Sequence, residues 1–103
     1  MQLQQIKETK LRKFVGFHLT IIKKDNTIMI SDEITRDELK SMQGIEEGSI
    51  DSFAINYQEY LTYTVIPQQL SRKEDIQVMI DGRVLKVQVE DVADMNVIFN
   101  YED

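Results

Sequence analysis

Two alternating apolar runs flank the dipeptide Asp81-Gly82, and this arrangement narrows the folds open to the chain more than any other feature. A two-residue loop of this type needs positive φ at both central residues. Glycine adopts it freely, and aspartate tolerates it because its short side chain bonds the local backbone. The register follows: Ile80 opposes Arg83, Val78 opposes Leu85 and Ile76 opposes Val87. Strand periodicity then gathers Ile76, Val78, Ile80, Leu85, Val87 and Val89 on one face. Gln77, Met79, Val84, Lys86 and Gln88 fall on the other, more polar face. A slip of one residue would turn the apolar set into water, so the register is well specified. An isolated hairpin is not stable, and the remaining chain must bring strands or a helix against its apolar face.

Upstream, Val15, Phe17, Leu19 and Ile21 alternate with Gly16, His18 and Thr20, which predicts a long strand from about Phe14. Lys24 to Thr27 reads as a polar turn, and a second strand returns over Thr27 to Ser31. Ile34 to Gly44 carries the signature of a short helix. Thr35 and Glu38 form a capping box, Ile34 and Leu39 a hydrophobic staple, and Gly44 suits the position after the last turn. So short a helix survives only by packing Leu39 and Met42 on a sheet. Phe53, Ile55 and Tyr57, then Leu61, Tyr63 and Val65, alternate again and predict one bent strand or two, ended by Pro67. Gln68 to Asp75 reads as a polar connection in which Ser71 to Glu74 forms one capped turn. Met95, Val97, Phe99 and Tyr101 make the last strand.

The expected architecture is α+β and strand-rich. Five to seven strands form a small twisted antiparallel sheet or a partly closed β-barrel, with one short α-helix at about 35–43. A length of 103 residues fits a single domain over 1–103, in which residues 1–12 form a short helix or a flexible arm. There is no cysteine, which excludes disulfides, thiolate nucleophiles and cysteine-ligated metals. No apolar run approaches the ~18 residues of a membrane span. The first residues lack the apolar core of a secretory signal, so a cytoplasmic location is expected.

Charge is unevenly distributed within the net −6. Residues 1–24 carry six basic side chains against Glu8, whereas residues 25–59 carry nine acids against Arg36 and Lys40. This balance disfavours direct nucleic-acid binding and suits a protein partner with a basic surface. Candidate partner-binding residues are Asp32, Glu33, Asp37, Glu38, Glu46, Glu47 and Asp51, joined by the interface-prone Tyr57 and Tyr60. On the strand reading Tyr57 and Tyr63 share a face and Tyr60 points the other way.

Catalytic signatures are absent. His18 is the sole histidine, there is no G-x-S-x-G elbow, and the four glycines form no phosphate cradle. The acids at the helix start have a capping role and lack calcium-loop spacing, so no metal and no cofactor is expected.

The passage I-x-V-M-I-D-G-R-V-L-K-V-x-V-E-D-V-x-D-M-N over residues 76–96 resembles the end of phage head-closure and minor capsid proteins. The resemblance implies a small β-barrel and a structural role in virion assembly, with self-association. In size and acidity the chain is similar to phage-encoded inhibitors of host nucleases and defence proteins. The leading expectation is a small acidic, non-enzymatic protein–protein interaction module, an inhibitor or adaptor that binds a basic surface on a nucleic-acid-handling protein. The virion-assembly subunit is the alternative.

Overall fold

A computed structural model describes residues 12–102, so all but the last residue of the expected N-terminal helix or arm lies outside the described residues. The centre of the fold is β1 (Lys13–Lys23), rather than the Asp-Gly hairpin. Along one edge it pairs antiparallel with β6 (Val92–Glu102) over the length of both strands. Its other edge is shared by two short strands, β2 (Ile28–Ile30) and β3 (Ile34–Thr35). Three helical segments follow: α1 (Arg36–Gln43), α2 (Ile50–Tyr60) and α3 (Ile66–Ser71). Next, β4 (Ile76–Ile80) and β5 (Arg83–Val87) form a second, two-stranded sheet. The larger sheet is open, so the α+β fold takes the twisted-sheet form and not the barrel.

The hairpin keeps the register read from its loop, with Ile80 opposite Arg83 and Ile76 opposite Val87. Asp81 and Gly82 have φ of 53° and 75°. Ile76, Val78 and Val87 are buried, but Leu85, expected on the same covered face, is exposed. The apolar face is covered along β4, where Ile80 also packs on the core, and is uncovered on β5 at Leu85.

In β1 the side-chain alternation is broken by a bulge between Phe14 and Gly16. Two residues there oppose one on β6, which reverses the phase. Phe14, at 0% exposure, takes the core place expected of Val15, which is 41% exposed. Gly16 is required at this point. A Cβ would run into the Glu33 carboxylate and come within 2.8 Å of the Ile34 carbonyl oxygen. From Phe17 the expected phase holds, with Ile21 fully buried.

The first helix forms as the capping box implies. Thr35 Oγ1 accepts from the Glu38 N–H at 3.2 Å, and Gly44 closes the helix at φ 64°. Leu39 is buried, whereas Met42 faces solvent and does not pack on the sheet.

The main departure lies at residues 50–71. The strands expected over 53–65 do not form. Instead α2, a π turn over Leu61–Val65 and α3 run on without a break, so the short α1 is joined by a long helix. Aromatic and β-branched residues gave this stretch its strand-like alternation, but Ile50, Ala54, Tyr57 and Leu61 also follow helical spacing. Burial selects the helical set: Ile50 and Ala54 are fully buried, and Phe53, Tyr57 and Leu61 pack beside them. Pro67 does not end a strand. It sits in the first turn of α3, directly after the wide turn in which the Ile66 N–H bonds the Leu61 carbonyl. Proline has no N–H to donate and crowds the carbonyl four residues back, which the wider turn accommodates. The insertion also shifts the buried stripe from Leu61 to Ile66. The capped turn expected over Ser71 to Glu74 is absent, because Arg72 is already extended.

Phe14→Ala should destabilise the protein by about 3–5 kcal/mol, and Val15→Ala by less than about 1 kcal/mol, in denaturant unfolding. A larger loss for Val15→Ala than for Phe14→Ala would mean that β1 continues through Gly16 without the bulge.

Candidate functional site

Between the inner face of the larger sheet, the long helix and β4 lies an open cleft of about 820 Å³. Its floor is apolar, with Phe17, Leu19, Tyr57, Leu61, Ile66 and Val97. Five carboxylates line it: Asp32, Glu33, Glu38, Glu74 and Asp75. Among the described residues no lysine or arginine does. Connections place these acids. Asp32 and Glu33 lie in the link from β2 to β3, Glu38 in the first turn of α1, and Glu74 and Asp75 in the link from α3 to β4.

The acids expected to meet a partner divide into two groups. Three of them bind within the chain. Asp32 accepts from the Asp81 and Gly82 N–H groups, both at 2.8 Å, and its own N–H donates to the Met79 carbonyl at 2.8 Å. It therefore caps the hairpin tip. Glu47 and Asp51 both grip Arg36. The guanidinium donates to Glu47 Oε2 at 2.6 Å and to Asp51 Oδ1 at 2.7 Å. The same Asp51 oxygen accepts from the Phe14 N–H at 2.7 Å, while Arg36 donates to the Phe14 carbonyl at 2.8 Å. Lys40 adds a longer contact to Glu47 at 3.4 Å.

The Arg36 side chain is only 13% exposed. Hydrogen bonds to Asp51 and then to Glu47 hold its pKa well above the ordinary arginine value. Both acids are held below the ordinary carboxylate range, each mainly by its hydrogen bond to Arg36.

The second group is open to solvent. Glu33, Asp37, Glu38 and Glu46 are exposed, and of these only Glu33 and Glu38 reach the cleft. Glu33 has one weak contact, from the Asn100 side chain at 3.4 Å, and Asp37 lies 3.9 Å from Lys40.

The tyrosines follow helical geometry, not the alternation of a strand. Tyr57 faces inward, stacked on Phe53 and edge-on to Phe17, and burial raises its hydroxyl pKa. Tyr60 lies beside it, exposed, with ring centroids 6.4 Å apart. Tyr63 also faces solvent instead of sharing a face with Tyr57.

Glu74 and Asp75 belong to the cleft but were not among the candidates, because the acid-rich segment ends before them. The adjacency of two acids to the strongest hairpin signal was the cue available in the sequence.

His18, Ser31 and Asp32 line the same cleft, the residue types of a hydrolytic triad. Their hydrogen bonds run elsewhere. Ser31 Oγ accepts from the Leu19 N–H at 2.8 Å and donates to the Asp32 carbonyl at 3.2 Å, and the Asp32 carboxylate is taken up by the hairpin. Among the described residues no group of three or more His, Asp or Glu side chains is placed to hold a metal ion. None of the helices there is long and apolar enough to cross a membrane. No protein-family model, curated protein or solved structure matches the chain.

Because Asp51 is held below the ordinary 3.8, its contribution to stability is complete above that pH and is lost as pH falls through the lower folded value. Arg36→Met should cost about 3 kcal/mol at neutral pH, since it leaves two carboxylates facing each other, and should flatten the acid limb of the stability curve. An unchanged acid limb in urea titrations from neutral pH to below 3.8 would show that the network carries no stability.

Proposed function

We propose that this protein is a non-enzymatic interaction module that binds a basic segment of a partner protein, acting as an inhibitor or adaptor of a nucleic-acid-handling protein. The observation that carries this reading is the cleft, which among the described residues has an apolar floor, five carboxylates and no lysine or arginine in its lining. Burying an apolar anchor provides affinity, and facing carboxylates favour lysine- or arginine-bearing partners and repel acidic ones. Within the −6 net charge, Glu47 and Asp51 are matched by Arg36, so Glu33, Glu38, Glu74 and Asp75 are the acids left for a partner at this place. The serine, histidine and aspartate of the cleft are committed to backbone or to no shared bond, which supports binding over hydrolysis.

A second reading, a self-associating assembly subunit, draws support from the outer face of the larger sheet. Ile28 and Ile30 are 60% and 55% exposed there, beside Ile22 and Thr20 of β1, and Ile98 lies further along that face. Clustered exposed β-branched residues of this kind favour association.

The test is affinity capture at low and high salt with the chain and with a Glu33→Gln/Glu74→Gln/Asp75→Asn variant, read by mass spectrometry. The expected result is a basic partner retained at low salt, released at high salt and lost by the variant. Equal retention by the variant overturns the reading. Recovery of only further copies of the chain, with a mass that rises with concentration and falls on Ile30→Lys, favours the assembly subunit.

A further inference from the structure

We infer that the cleft binds its partner as an added β-strand, an extended segment with alternating basic and apolar residues that pairs with the free edge of β4. This rests on the basic-partner reading and specifies its geometry.

The lining of the cleft carries the argument. A strand that presents a face offers alternate residues, and one that presents an edge offers consecutive ones. From β4 and its approach the cleft is lined by the unbroken run from Glu74 to Met79. The opposite wall, from Ser31 to Ile34, is also unbroken. For β4 the hydrogen-bond pattern, and not the lining alone, identifies the wall as an edge of backbone.

Hydrogen-bond alternation shows what the β4 edge offers. A two-residue loop makes Ile80 and Arg83 the first pair to exchange bonds, and the exchange recurs at Val78 and Ile76. The N–H and C=O groups of Gln77 and Met79 then point away from β5. The Met79 carbonyl confirms this direction, since it accepts from the Asp32 N–H at 2.8 Å. That single bond pins the wall to β4 at the hairpin tip and does not continue as a ladder. The Met79 N–H and both backbone groups of Gln77 have no partner among the described residues, and β4 pairs there with no strand but β5.

Asp32 already occupies the edge at Met79, so an incoming strand would meet the backbone groups of Gln77, as in other cases of strand addition. Its alternate side chains would point to the apolar floor and to the carboxylates. Charge defines the occupant. Glu74 and Asp75 stand at the start of the edge, and Glu33 and Glu38 stand across from it. A segment with lysine or arginine at every other position is matched.

The probe is a short synthetic peptide alternating Lys and Val with capped ends, titrated against the full chain. Two N-methylated forms accompany it, one methylated on every Val and the other on every Lys. Methylation blocks only the edge of the peptide that carries the methyl groups. The plain peptide should bind in a salt-dependent manner, and one methylated form should bind roughly tenfold or more weakly while the other holds its affinity. The Gln77 amide should gain protection from hydrogen exchange on binding. Gln77→Pro, which removes an outward N–H and spares the β4–β5 ladder, should lose the peptide, and Gln77→Thr should keep it.

Equal affinity of both methylated forms overturns strand addition and leaves the basic-partner reading in place. Failure of the plain peptide to bind at low salt overturns that reading as well. Protection of Gln77 in the free chain would mean that the chain's own residues fill the edge, and protection along β6 would place the added strand there. Either result overturns the proposal.

Discussion

Before Gly16, β1 has no strand on the edge opposite β6 among the described residues, and there the backbone of Phe14 bonds to side chains. Asp51 accepts from its N–H and Arg36 donates to its carbonyl, so the ion pair does the work of a neighbouring strand. Buried backbone groups without partners are costly, and the most deeply buried aromatic ring in the protein is attached to this residue. The bulge that turns Phe14 inward is thus tied to a pairing between two helices. Arg36 opens α1 and Asp51 opens α2, with Glu47 between them. One guanidinium fork fixes where the chain crosses from sheet to helices. The long helix, and with it one wall of the cleft, takes its position from that crossing.

Much of this fold was legible in the sequence, and its limits have physical causes. The hairpin register and the cap of α1 rest on local chemistry, and no distant contact altered them. The strands expected over 53–65 do not form: Phe53, Ile55, Tyr57, Leu61, Tyr63 and Val65 satisfy a period of two, while the buried subset satisfies a helix. Only the packing partner distinguishes the two, and that partner is β1 and β6, some 40 residues away on either side. Phe14 and Val15 exchange places for a related reason. A bulge is invisible to periodicity, although Gly16 inside a strand was a signal that the backbone approached something closely.

The acidic segment was legible as a count and not as a surface. Nine acids against two cations over residues 25–59 reads as an exposed negative face. In space one of the two cations is held by two of those acids, and a third carboxylate caps the hairpin 49 residues away. Which charges remain for a partner depends on contacts between segments, and composition carries no information on those. Glu74 and Asp75 show the converse. They lie outside the acid-rich segment, yet the turn from α3 to β4 brings them to face Glu33 and Glu38.

An unpaired strand edge is a liability, because it templates pairing with any other exposed edge. In this chain β6 and β4 each have an edge that no strand covers among the described residues. On β6 the residues facing away from the core include Asp94, Asn96, Asn100 and Glu102, which resist apolar pairing along its length. On β4 protection is arranged differently. Gln77 is polar and Met79 is not, and the charges sit at the mouth of the cleft instead of on the strand. A carboxylate on the strand itself would repel every incoming segment that brought an apolar side chain beside it. On the proposed reading, carboxylates set around the opening repel acidic segments and leave the backbone groups and apolar floor accessible to a basic one. On that reading the side chains that guard the edge also select what pairs with it.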